Sequence, residues 1–201
     1  MDPFAASLGR RAVTNNSVSD TSEDARLVDA ARQGDRVAFG QLYNRYARMV
    51  HGVLMARVPL GEVDDLVQDV FVLALRRLST LRDIARFGAW LAAISRNLAN
   101  DYHRQSVAAV ELTEELSEGE LEHGVTSEAS EAEGASIPAA IRRLPDAYKE
   151  TLILRLLEGM TGPEIASRTG LTPGSVRVNL HRGMQQLREK LGRASSRNGS
   201  Q

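Results

Sequence analysis

The chain has 201 residues, 42% of them hydrophobic and 25% charged, which is ordinary globular material and enough for two small domains. With no cysteine it has no disulfide, thiolate metal site or cysteine nucleophile, which predicts a reducing, intracellular setting. Its net charge of −1 hides an uneven distribution, because residues 105–137 carry nine Glu and no Lys or Arg while residues 138–201 carry 11 basic and 5 acidic side chains.

A basic C-terminal third behind a near-neutral total is what a polyanion-binding domain requires. Residues 1–104, with 14 basic and 12 acidic side chains, are nearly balanced. No apolar run approaches the roughly 18 residues of a membrane helix, and the start lacks the basic-then-apolar order of a signal peptide. A soluble protein is expected.

Residues 1–22 are small and polar without periodicity and read as a disordered leader. Periodic sequence then runs from Glu23 to Val58. A short helix begins at a Ser22 cap and stops at Gly34. The next places Val37, Phe39, Leu42, Tyr43, Tyr46, Met49, Val50, Val53 and Leu54 at helical spacing, and Pro59 and Gly61 end it. A third helix spans about Glu62 to Leu78, and after "STLRDIAR" a fourth runs from Phe87 to Arg104. Residues 23–104 thus form one all-α domain.

Residues 105–137 hold few large apolar groups and many like charges, so they read as a flexible acidic tether, with a transient helix near Glu111 to Leu121. The second domain, residues 138–192, opens with a short helix, breaks at Pro145 and continues to Gly159. Thr161 and Glu164 have capping-box spacing, Gly170 is a stop, and Thr172 with Pro173 starts the last helix. Two helices joined by a short Gly-containing turn are a helix-turn-helix. Residues 193–201 are a tail, and the fold class is all-α with two helical domains.

On the last helix Val176, Leu180, Gly183, Met184, Leu187 and Leu191 share one side. Val178 and Arg182 point away from it, with Arg177 and His181 on the flank. Arginine reads guanine edges or pairs with phosphate, and a small apolar group meets a thymine methyl. An amphipathic helix with a merely solvated basic face is the plainer alternative; the turn chemistry, the preceding short helix and the domain's charge favour DNA binding.

The stretches "DRVAFGQLYNRYARMV", "VDDLVQDVFVLALRRL" and "FGAWLAAISRNLANDYHR" resemble region 2 of the extracytoplasmic-function (ECF) sigma factors of bacterial RNA polymerase. The stretch "LPDAYKETLILRLLEGMTGPEIASRTGLTPGSVRVNLHRGMQQLREKL" resembles region 4. The resemblance implies a protein that binds core RNA polymerase, at the largest-subunit clamp helices and the beta flap, and directs promoter recognition, melting and initiation in the cytoplasm. It implies a possible anti-sigma partner.

Carried over by position, Asp65, Gln68 and Asp69 face the polymerase. A carboxylate stripe at 65, 68, 69 and 72 suits arginines on a partner helix. The positive helix N-terminus accounts for Asp64 and Asp65 but not Asp69. Arg82, Arg86, Arg96, Asn97, Asn100, His103 and Arg104 face the melted promoter element, with the base pocket in the Ser79 to Arg86 loop and Trp90 mainly structural. Arg177, Val178, His181 and Arg182 read the upstream element in the major groove, with Arg168 and Ser175 near phosphates. The chain departs from the common "TVKSRLHRA" pattern at Arg177, Val178 and Asn179, and Gly183 replaces a usual Ala.

Two other readings are weaker. A free-standing helix-turn-helix regulator leaves the third and fourth helices as mere packing. An enzyme lacks an active site, since His51, His103, His123 and His181 have no metal-ligand spacing and there is no phosphate loop or nucleophile elbow. No cofactor, metal or catalytic residue is expected.

Overall fold

The computed structural model describes residues 16–116 and 137–198; the rest of the expected leader, tether and tail lies outside the described residues. Helices α1 (Asn16–Arg32), α2 (Arg36–Met55), α3 (Val63–Arg77) and α4 (Phe87–Leu116) are followed by α5 (Ile137–Arg142), α6 (Asp146–Leu156), α7 (Gly162–Thr169) and α8 (Pro173–Asn198). Short 3₁₀ turns at Leu60–Glu62, Leu78–Thr80 and Ile84–Arg86 complete the regular structure, and no strand occurs among the described residues.

Local chemistry sets most of these boundaries. Asp35 caps α2 by accepting from the Val37 and Ala38 amides, 2.8 and 3.0 Å away. The capping box of α7 forms, with Glu164 Oε2 accepting from the Thr161 amide at 2.7 Å and Gly170 closing the helix at φ 76°. Thr172 Oγ1 accepts from the Ser175 amide at 3.1 Å and starts α8. These bonds to Thr161 hold the Glu164 carboxyl below its ordinary range.

Two boundaries differ from the sequence reading. Helix α1 begins at Asn16, so Ser22 lies inside it rather than at its cap, and part of the expected leader is helical. Helix α4 continues to Leu116, past the expected end at Arg104 and into the acidic segment. The α1 extension, Asn16 to Ser22, is polar, and the hydrophobic period that marks a helix packed on a core cannot register it; the α4 extension runs into the segment where the sequence predicts a helix near Glu111.

The core of α1–α4 is built from Leu42, Met49, Val50, Val53, Val70, Phe87 and Leu91, all fully buried. Val37 and Tyr43 belong to the same apolar run but face outward, because that run is wider than the stripe α2 buries.

The larger difference concerns the two domains, which the sequence reads as separated by a flexible, repulsive tether. Instead Leu154, Met160, Ile165 and Val176 from the C-terminal half enter the same buried cluster as α1–α4. A smaller cluster of Ile141, Leu144, Leu152, Ile153 and Leu187 holds α5, α6 and α8 together. Gly52 on α2 permits the approach, since a Cβ there would lie 2.6 Å from Leu154 Cδ2 and 3.0 Å from Glu158 Cγ.

Both neighbours of Gly52 come from the other half, so Gly52→Leu is expected to separate the halves while each keeps its helices. Small-angle scattering should show a larger radius of gyration with unchanged far-UV dichroism; an unchanged radius would count against the close approach.

Candidate nucleic-acid and protein interfaces

Helix α3 buries Val63, Leu66, Val67, Val70, Phe71 and Ala74. This fixes the opposite face. Asp65, Gln68 and Asp69 lie on it, all exposed, and Val72 and Leu75 extend it at 45% and 51% exposure. The sequence reading took in position 72 but passed over Leu75, and an apolar residue off the core stripe was the available signal. Carboxylates flanked by exposed aliphatics form a face suited to a basic, partly apolar partner helix.

Between α3 and α4 the chain makes its two 3₁₀ turns. Leu78 and Leu81 point inward, while Arg82, Asp83 and Arg86 are exposed. Asp83 accepts from the Ala85 amide at 3.1 Å and pairs with Arg86 at 3.6 Å. With Thr80, Leu81, Ala89 and Trp90, these residues line an open hollow of about 420 Å³. Trp90 is half-buried, with its ring 5.9 Å from that of Phe87, so it both packs and lines the hollow.

Farther along α4 the predicted residues diverge. Asn97 and Asn100 are exposed, His103 Nε2 lies 2.6 Å from the Arg57 carbonyl, and Arg104 pairs with Asp101. Arg96 turns toward the C-terminal half. Its Nε and Nη2 donate to Glu150 Oε2 and Oε1 at 3.1 and 2.7 Å, and Arg57 Nη1 lies 2.9 Å from the same carboxylate. Glu150 on α6 is 5% exposed, a buried acid made tolerable by two guanidinium groups.

A second junction lies beside it. His51 Nδ1 donates to Glu158 Oε1 at 2.7 Å, and Arg48 approaches the other oxygen at 3.8 Å. Arg168 Nη1 donates to the Arg45 carbonyl at 2.8 Å, and its Cζ stands 5.7 Å from the centre of the Tyr46 ring. Tyr46 donates to Asp24 at 2.6 Å, and burial, then that bond, pushes its phenol well above the ordinary range. Arg96 and Arg168 are therefore spent on the contact between the halves. Glu150 and Glu158 are absent from the sequence reading; for Glu158 the available signal was an acid within the apolar stretch "LLEGM", whereas Glu150, between Lys149 and Thr151, carries no such signal.

On α8, Val176 and Leu187 are buried and Leu180, Met184 and Leu191 half-buried, as the spacing predicts. Gly183 sits where α8 meets α6, and a Cβ there would lie 2.8 Å from Leu152 Cδ1 and 3.1 Å from Tyr148 Cβ, so Ala at this position would require Leu152 to shift. Ser175, Arg177, His181 and Arg182 are exposed, with Val178 at 43%. Among the described residues none of Arg177, His181 and Arg182 is engaged in an ion pair.

Among the described residues no group of acidic and histidine side chains has the arrangement of a metal site, and no helix is long and apolar enough to cross a membrane. The described residues thus form an all-α protein with an outward basic face on the second helix of a helix-turn-helix and an acidic-apolar face on α3. The sequence pattern described as "Sigma-70 region 2" matches residues 42–108, and that described as "Sigma-70, region 4" matches residues 135–187.

The chain is 33% identical over 174 residues to the ECF RNA polymerase sigma factor BldN of Streptomyces coelicolor, a match covering 84% of this chain and 66% of BldN. It is 33% identical over 175 residues to the RNA polymerase sigma factor CarQ of Myxococcus xanthus, covering 82% of this chain and 95% of CarQ. The solved structure of CnrH in complex with the cytosolic domain of CnrY is similar at a TM-score of 0.59 and 28% identity, covering 85% of this chain and 97% of that one. The chain belongs to the ECF RNA polymerase sigma factors.

The Glu150 junction has a measurable consequence. Glu150→Gln leaves Arg57 and Arg96 facing each other without their anion, which is expected to cost on the order of 3 kcal/mol. It also releases Arg96, so affinity of the free protein for single-stranded DNA should rise. Urea unfolding and fluorescence anisotropy would check both effects; unchanged values in the two measurements would refute the assignment.

Proposed function

We propose that this chain binds core RNA polymerase through the exposed face of α3 and directs it to a promoter of two elements. Asp65, Gln68 and Asp69, with Val72 and Leu75 beside them, meet the polymerase. The Ser79 to Arg86 loop and the cations and amides of α4 hold the unwound strand, the hollow beside Trp90 taking an unstacked base. Helix α8 enters the major groove of the upstream element with Arg177, Val178, His181 and Arg182 toward the bases and Ser175 toward phosphate.

The observation that carries this reading is the open basic face of α8 above a buried Val176–Leu187 stripe, on a chain whose other half presents a separate acidic-apolar face on α3. The free-regulator reading leaves that second face without a use. Bond-making belongs to the polymerase, the protein itself is non-catalytic, and its place of action is the cytoplasm.

The closed arrangement bears on the order of events. Arg96 and Arg168 serve the contact between halves in the free protein and reach nucleic acid only after α6 and α7 leave α2 and α4. A partner that stabilises the closed form keeps the protein inactive; an anti-sigma protein would act in this way, and CnrH was solved with a bound partner.

Run-off transcription with purified core enzyme is expected to give promoter-dependent product only when this protein is added. Asp69→Arg should weaken core binding about tenfold without altering stability. Tight binding of duplex DNA alone, with no association with core, would reject the proposal.

Val178 provides the finer test. An apolar side chain amid Arg177, His181 and Arg182 contacts a thymine methyl or a base-pair edge without a hydrogen bond. Promoter selection with Val178→Ser should show altered base preference at one or two upstream positions, worth about 1–3 kcal/mol per position, with core binding intact. An unaltered preference would return Val178 to an ordinary exposed residue.

A further inference from the structure

Arg32, in the last turn of α1, donates to the loop that joins α3 to α4. Its Nε lies 3.1 Å from the Leu78 carbonyl, and its Nη2 donates to the Leu81 carbonyl. Those acceptors are 46 and 49 residues away in sequence, so this is not a cap on its own helix. One guanidinium, planar and with diverging donors, spans two carbonyls of a single loop.

The loop has little regular structure of its own beyond two 3₁₀ turns, with Leu81 donating back to Leu78 at 3.3 Å between them. Its rear is fixed by Leu78 and Leu81, which are 2% and 6% exposed. Its front carries Arg82, Asp83 and Arg86 at the hollow beside Trp90. Arg32 therefore grips the rear of the loop whose front faces outward. The support is itself anchored: Val28 and Ala31 are buried, and Asp24, midway along α1, pairs with Arg45 and accepts from Tyr46.

We propose that Arg32 is a positioning residue for strand capture: by bridging the Leu78 and Leu81 carbonyls it holds the Arg82–Arg86 front in its binding geometry before DNA arrives. This rests on the reading of that loop given under Proposed function. Ordering the loop in advance removes an entropy cost that binding would otherwise carry. The cation also lies at the C-terminal end of α3, where the helix dipole favours positive charge.

The test uses the full chain with and without core polymerase, as wild type, Arg32→Ala and Arg32→Lys. Holoenzyme affinity is measured for a fork-junction DNA bearing the single-stranded non-template segment and for the double-stranded upstream element, alongside core affinity and thermal midpoint. Arg32→Ala should weaken fork binding about tenfold, the loss of charged hydrogen bonds to two carbonyls, while the affinities for the upstream element and for core change less than twofold and the thermal midpoint shifts by only a few degrees. Arg32→Lys, with a single ammonium in place of a fork, should fall between.

Hydrogen exchange of the loop amides in the free protein separates the inference from the reading beneath it, and Arg32→Ala should accelerate exchange at residues 79–86. Accelerated exchange with normal fork binding would overturn the role in strand capture. Unchanged exchange would overturn the positioning itself, as would a parallel fall of all affinities with the thermal midpoint, which marks a general structural residue. Failure of wild-type protein to associate with core would instead remove the functional reading, leaving the exchange result to judge the positioning.

Discussion

The arrangement of this protein turns on one buried carboxylate. Glu150 enters the junction between the halves with 5% of its surface exposed and is met by Arg57 from the end of α2 and Arg96 from α4. A lone acid there would be costly to bury, and two facing guanidiniums without it would repel. The three groups make sense only together, and together they decide how α6, and with it the helix-turn-helix, sits on the N-terminal half. Apolar contacts from Leu154, Met160 and Ile165 supply the area, and the ion cluster supplies the register.

This junction divides the candidate nucleic-acid residues into two sets. Arg177, His181 and Arg182 stand open on α8, and Arg82 and Arg86 stand open on the loop between α3 and α4. Arg96 and Arg168 are occupied, one by Glu150 and the other by the Arg45 carbonyl and the Tyr46 ring. Cations that suit phosphate equally suit a buried carboxylate or a carbonyl, and the closed form uses that versatility. Competition between an internal anion and an external polyanion is a physical route from conformation to binding.

The chain therefore presents its surfaces unequally. The acidic-apolar face of α3 and the basic front of α8 are free of contacts between the halves, whereas the inner side of α4 is closed by α6 and α7. Helices carry the exposed faces of α3 and α8, whereas the front at Arg82 to Arg86 sits on a loop of two 3₁₀ turns. Arg32 gives the loop support from α1, which in sequence reads only as a short helix ending at Gly34.

The sequence by itself determined where most helices lie and how α7 and α8 are capped, though not the start of α1 or the end of α4. Thr161 with Glu164, Gly170, and Thr172 with Pro173 act within a few residues, so their consequences are local and legible. Period 3.6 likewise separated Val176 and Leu187, buried, from Val178, exposed, and put Asp65, Gln68 and Asp69 on an outer face. Tertiary structure alone decided that the two halves share a core, that Arg96 and Arg168 face inward, and that Gly52 and Gly183 mark close approaches. It also decided that Arg32 reaches Leu78 and Leu81. Those outcomes depend on side chains dozens of residues apart meeting in space, and no period or motif in the chain encodes the partner of a charge; only packing chooses it.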